Sequence, residues 1–214
     1  MTCQHCCGAD KVFDDKEALK QRKRYHKNGP RKTSRLLIEG IKAHLNDEKS
    51  VLDIGGGIGA VHHELLKSGL GSATQVDASL SYLEEARQES ERNRFQDKTT
   101  YLHGDFMDLS EEIDIHDVVV LDKVICCYPY VTELLSKSIS KSNSMIALVY
   151  PKSNWIGRII IVSGNILFWI KKNPFRVFLH SNEHVRSRLI TEGFDRLYYK
   201  VTYPWNIEVY KRNS

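Results

Sequence analysis

No stretch of this 214-residue sequence runs through the about 20 consecutive apolar residues that a membrane-spanning helix needs. The N-terminus has no basic-then-apolar signal segment, so a reducing cytoplasm is expected, with the five cysteines free or metal-bound. Repeats, low-complexity tracts and long linkers are absent, and the length suits one domain with a full core. Charge of one sign is not in large excess. The net value of +4 permits an anionic partner without demanding one. Much of it sits in Lys20, Arg22, Lys23, Arg24, Lys27, Arg31 and Lys32, which form either a solvated helix face or a guide for an anionic substrate. No aromatic residues interleave with a basic stretch as in an RNA-binding module, so no nucleic-acid partner is expected. Cys3-Gln4-His5-Cys6-Cys7 has the C-x2-C spacing of a thiolate knuckle, but a second such pair is missing. Completing four ligands would take His5, Cys126 or Cys127, so no metal set is assigned and a reduced terminus is the other reading.

What is present begins with Val51-Leu52-Asp53-Ile54-Gly55-Gly56-Gly57-Ile58-Gly59-Ala60, an apolar strand entering four glycines. Glycines here allow a tight turn and let a ligand lie against the main chain, and a helix pattern follows at once. The dinucleotide fingerprint fits Gly55, Gly57 and Ala60. Acid-x-Gly-x-Gly-x-Gly fits better, on Asp53, Gly55, Gly57 and Gly59. A carboxylate at the loop's mouth would repel a pyrophosphate, whereas S-adenosylmethionine brings an ammonium and a sulfonium that want negative charge. Asp53 could meet that ammonium directly or through water. Asp77, with Ala78 after it, closes the next strand at the distance expected of a ribose acceptor. Gly104-Asp105-Phe106 closes a third, where Asp105 could accept from the adenine amino group and Phe106 could cover the ring. Asp122, ending the fourth strand, is assigned to the same site.

These motifs resemble those of the class I S-adenosylmethionine-dependent methyltransferases over roughly residues 31–212. Less common segments resemble the magnesium-protoporphyrin O-methyltransferase group and its bacterial relatives: Arg24-Tyr25-(x3)-Gly29, Thr33-Ser34-Arg35-Leu36, Tyr128-Pro129, and Arg176-Val177-Phe178-Leu179-His180. Where that group reads isoleucine-histidine before Tyr-Pro, this chain has Cys126-Cys127.

Strands are expected at 51–54, 73–77, 100–103, 117–122 and 144–150, with helices at 34–45, 60–67, 79–94, 130–138 and 182–192. That alternation implies an α/β, Rossmann-like doubly wound sheet. Runs 194–202 and 206–210 would close it as a C-terminal antiparallel hairpin, making seven strands. The division expected is an N-terminal arm (1–33) over the cofactor site and a methyltransferase domain (34–214) with a lid insertion at about 152–180. Within it, 155–172 is apolar except for a stripe of Arg158, Asn165 and Lys172. It could be a core helix, a lid over an apolar cavity, or a membrane-surface helix with Trp ends.

Methyl transfer asks the protein mainly to hold a nucleophile in line and keep water out, with a base for most oxygen or nitrogen acceptors. His180 is the first candidate base, from its position after the insertion and from the resemblance. Tyr25 and Tyr128 follow as catalytic candidates. His26, Cys126, Cys127 and Trp155 are candidates for contact with substrate. The cysteine pair is expected to continue the fourth strand, with one thiol facing the pocket. The expected activity is methylation of a small molecule with an apolar body, at oxygen first and sulfur next. A tetrapyrrole carboxylate O-methyltransferase and a non-catalytic cofactor- or metal-sensing domain are the alternatives.

Overall fold

The computed structural model describes residues 12–213. Helix α1 (Asp15–Asn28) starts where the Asp14 carboxylate accepts from the Glu17 amide, and it stops at Gly29 with φ +69°. Helix α2 spans Lys32–Lys42. The alternating part then runs β1 (Ser50–Ile54), α3 (Ala60–Lys67), β2 (Ser72–Asp77), α4 (Leu80–Asn93), β3 (Thr99–His103) and the single turn α5 (Phe106–Leu109). It continues with β4 (His116–Asp122), α6 (Val131–Ser140), β5 (Ser142–Pro151), α7 (Trp155–Ile170), α8 (Asn182–Thr191), β6 (Phe194–Thr202) and β7 (Trp205–Arg212).

The seven strands lie in the order β3-β2-β1-β4-β5-β7-β6. The first five are parallel, and β7 enters antiparallel between β5 and β6. Chain direction reverses its outward march between β1 and β4, so a crevice opens at the carboxyl ends of those two strands.

Burial on both faces explains why the central strands read as near-continuous apolar runs. Leu52, Ile54, Val119, Leu121, Ile146 and Leu148 join Leu134 and Leu135 of α6 and Leu189 of α8 in one layer. Their strand neighbours Val51, Val118, Val120, Ala147 and Val149 pack with Leu37 and Ile41 of α2 and Leu65 of α3 in the other. Alternate side chains thus serve opposite layers.

Three sequence expectations change. The basic run is a helix, 15–28, but not a purely solvated face: its cations meet the acids of α4, with Arg22 Nε 2.6 Å from Glu85 and His26 paired to Glu89. Cys126 and Cys127 do not continue β4, which ends at Asp122; they lie in a 3-10 turn, Ile125–Cys127. Finally, 155–170 is a helix but no core helix, since Gly157 is its one buried residue. No helix among the described residues is long and apolar enough to cross a membrane.

Candidate active site

The loop after β1 is folded onto its own strand. Gly55, Gly57 and Gly59 have φ of +60°, +58° and +76°, a region that side chains with a Cβ disfavour. Space is also short. A Cβ on Gly56 would sit 2.7 Å from Asp53 Oδ2, and one on Gly59 would sit 2.6 Å from the His62 ring. The result is bare main chain opening onto the start of α3.

Asp53 lies under this loop. It shares the α3-facing side of β1 with Val51, and it is fully buried. Its Oδ2 shares a 2.9 Å hydrogen bond with His62 Nδ1, while Oδ1 has no protein partner. Burial pushes the Asp53 carboxyl up to about 8, with the charge of Asp122 adding to the effect. Burial likewise lowers His62 to about 3. Burial thus disfavours the charged form of both hydrogen-bonded partners. The sequence reading had set this carboxylate at the mouth of the loop, but alternation along the strand turns it inward. Beside it Gln75 Nε2 donates to the Gly57 carbonyl at 2.6 Å.

Asp77 ends β2 and holds the loop from the other side. Its Oδ2 accepts from the Gly57 amide and its Oδ1 from the Ser79 amide, both at 2.9 Å. Burial raises its carboxyl to about 6, against these two amides. Each oxygen keeps a second lone pair.

A cavity of about 400 Å³ opens over these groups. Its floor includes Asp53, Gly55, Gly56, Gly57, Asp77 and Ala78. Gly104 and Phe106 line it from the β3 end, and Asp122, Cys127 and Tyr128 from the β4 end. Asp122 accepts a hydrogen bond from the Ser34 hydroxyl. Asp105 is not in the lining. It caps α5 through the Met107 amide at 2.9 Å and accepts from the Tyr128 hydroxyl at 2.6 Å.

Four other candidates are placed away from the cavity lining. His180 donates from Nε2 to the Tyr128 carbonyl at 2.8 Å, and burial lowers its pKa. It therefore pins the turn after β4 instead of facing a substrate. His26 faces Glu89, and Trp155 is exposed to solvent. Cys126 is buried in the turn, where its thiol and that of Cys127 both approach the Lys123 carbonyl. Tyr25 does line the cavity, but its hydroxyl donates to Glu64 at 2.7 Å and burial raises its pKa strongly. Cys3, Cys6, Cys7 and His5 lie outside the described residues. Among the described residues no cluster of three metal-ligating side chains exists.

Sequence reasoning missed a third wall. Phe13, Gln21, Arg24 and Arg31 reach over the cavity from α1 and its ends, and Phe175 from the segment after α7. Tyr82 joins them: its ring centroid is 5.6 Å from that of Phe13, which is 5.8 Å from that of Phe175. Arg24 lay in plain view inside the Arg24-Tyr25-(x3)-Gly29 segment. Phe13 and Phe175 carried no signal at all, because contacts this far apart in sequence appear only after folding.

The groups present fit S-adenosylmethionine. The main-chain cradle leaves no room for a Cβ at Gly55, Gly56 or Gly59, the buried Asp53 Oδ1 lacks a partner, and Asp77 has free lone pairs for two hydroxyls. Residues 51–140 match a family model described as a methyltransferase domain. The chain carries a methyltransferase domain. Among solved structures, the methyltransferase is similar to magnesium protoporphyrin IX methyltransferase from Synechocystis PCC 6803 with bound SAH. Identity is 18%, TM-score 0.66, and the match covers 85% of this chain and 82% of that one. An O-methyltransferase family protein from Burkholderia thailandensis matches at 14% identity and TM-score 0.67, over 85% of this chain and 56% of that one. A putative sarcosine dimethylglycine methyltransferase from Galdieria sulphuraria gives 12%, 0.64, and 85% of each chain. At such identities the likeness is one of fold. No curated protein matches the methyltransferase in sequence.

Proposed function

We propose that the methyltransferase acts on a small molecule that pairs an apolar body with an anionic oxygen, a carboxylate above all. One observation carries this reading: two guanidiniums, Arg24 and Arg31, line the cavity, and neither has a carboxylate within ion-pairing distance among the described residues. Burial lowers the pKa of Arg24, and the charges of Arg31 and Arg35 lower it further. Three like charges so close favour an anionic guest.

When bound, S-adenosylmethionine supplies a methyl group already activated by its sulfonium. The chain's own task is then to orient the acceptor and exclude water. Phe13, Tyr82 and Phe175 offer an apolar shelf for that. Neither Tyr25 nor Tyr128, both lining the cavity, is poised as a base. Tyr25 and Tyr128 both spend their hydroxyl protons on acidic neighbours, and His180 faces a carbonyl. An ionised carboxylate needs no base, which favours it over a neutral phenol. A thiol acceptor, as thiolate, is the second reading, and Cys127 on the cavity wall is what supports it.

The test is methyl transfer from labelled S-adenosylmethionine to matched panels of aromatic carboxylates, phenols and thiols. Turnover is expected with carboxylates. Arg31→Ala is expected to raise the acceptor KM about tenfold or more while cofactor binding by calorimetry changes less than about threefold. Turnover confined to thiols would overturn the reading. Cofactor binding without turnover on any class would instead favour a sensing domain.

A further inference from the structure

Helix α7 presents one face that the fold leaves uncovered. Trp155, Ile159, Val162, Ile166 and Trp169 follow the i, i+4, i+7, i+11, i+14 spacing of one stripe, with Ile170 beside it. Each of the six is at least half exposed, the two tryptophans 72% and 70%. The stripe runs the full helix, about 24 Å at 1.5 Å per residue. Contiguous apolar surface of this extent marks a binding face.

Ile160 and Leu167, 45% and 50% exposed, widen the uncovered apolar surface beyond the stripe, while three contacts hold the helix in place. Asn165 Nδ2 donates to the Val177 carbonyl, and the Val177 amide donates to Asn165 Oδ1, both at 2.8 Å. The Phe168 ring stands edge-on to Phe175 at 5.4 Å. Asn154 caps the first turn through the Gly157 amide. The helix is thereby fixed with the stripe facing outward.

Charge identifies the occupant. The sequence has no aspartate or glutamate from Leu134 to Asn182, while Arg158 lies in the helix and Lys152, Lys171, Lys172 and Arg176 flank it along the chain. A second copy would set like charge against like. A bilayer with anionic headgroups accepts both the stripe and the cations. At about 24 Å the helix is too short for a hydrocarbon core of ~30 Å, and tryptophans at both ends suit a helix lying in the interface plane. We propose that α7 docks this methyltransferase on an anionic membrane surface. Phe175, which grips α7 and lines the cavity, would then bring the cavity wall close to lipid. Its use for receiving an apolar acceptor rests on the reading above; the docking does not.

Flotation of the full chain with vesicles tests it, using phosphatidylcholine alone and phosphatidylcholine containing phosphatidylglycerol, at low and high salt. The chain is expected to float with the anionic vesicles, at least about tenfold more than with neutral ones, and to be released by salt. Ile166→Glu and Trp169→Glu are each expected to cut this at least about tenfold with cofactor calorimetry unchanged. Lys171→Glu with Lys172→Glu should erase the preference for anionic lipid. A chain that binds cofactor yet stays in the aqueous layer with both vesicles overturns the proposal. So does equal binding to both, or a dimer by light scattering that Ile166→Glu converts to monomer.

Discussion

Along β1 the side chains alternate between two buried layers, and this turns Asp53 away from solvent onto His62. The pH dependence of stability follows from the buried groups there. His62 and His63 have pKa values lowered by burial to about 3 and about 2. Their contribution is lost as pH falls from their unfolded value of about 6.5. Asp53 and Asp77, raised to about 8 and about 6, work in the opposite direction, contributing fully below about 4 and losing it as pH rises. The two pairs nearly cancel between about pH 4 and pH 6. Above that range Asp53 is left alone, so stability without cofactor should fall up to about pH 8, by of order 1 kcal/mol per pH unit. Urea unfolding across this range checks it, and Asp53→Asn should flatten the decline. Backbone strain gives a second prediction at this scale. Gly59→Ala puts a Cβ at φ +76° and 2.6 Å from the His62 ring. It should cost about 1–3 kcal/mol and weaken cofactor binding in calorimetry, since His62 is what holds Asp53.

At the scale of elements, the segment after α7 is stitched to the turn after β4. The Phe178 amide donates to the Cys126 carbonyl at 2.7 Å and His180 donates to that of Tyr128. The histidine thus acts on the position of Tyr128. His180→Ala should lower stability by about 1 kcal/mol and leave the acidic limb of the rate profile in place. A general base would instead remove that limb along with most of kcat. Helix α1 is tied down differently, by Tyr25 to Glu64 and by Gln21 Nε2 to the Tyr82 hydroxyl at 2.6 Å. Tyr25→Phe removes the first link and leaves the ring. A loss of about 1 kcal/mol is expected in thermal unfolding, with a larger rise in acceptor KM than a fall in kcat.

The whole molecule gathers its site where β1 and β4 part, with α1 and the segment after α7 closing over it. Cofactor held in this cavity would touch strand ends that belong to both halves of the sheet. At a hundredfold excess over Kd it should add ~2.7 kcal/mol, seen as a rise of roughly 5–10 °C in Tm. Asp53→Ala should remove most of that rise.

The glycine loop, the acids closing β1, β2 and β4, and the alternation of helices with strands were legible in residue order, because each rests on neighbours along the chain. Gly55, Gly57 and Gly59 need their conformations locally, and a parallel sheet writes its strands as short apolar runs. Boundaries moved by only a few residues for the same reason. What the residues facing the ligand do was decided elsewhere. Asp105 reads as an adenine acceptor until Tyr128, 23 positions on, is found on its oxygen. His180 reads as a base until the Tyr128 carbonyl meets it. Arg24 and Arg31 read equally as solvated charge or as a guide for an anion until the fold sets them over the cavity. The sequence by itself determined the fold and the methyl donor, through short-range periodicity and turn chemistry. Only the tertiary structure decided which side chains are spent on holding the site together and which remain to meet an acceptor, because a hydrogen-bond partner is a matter of distance in space and not along the chain.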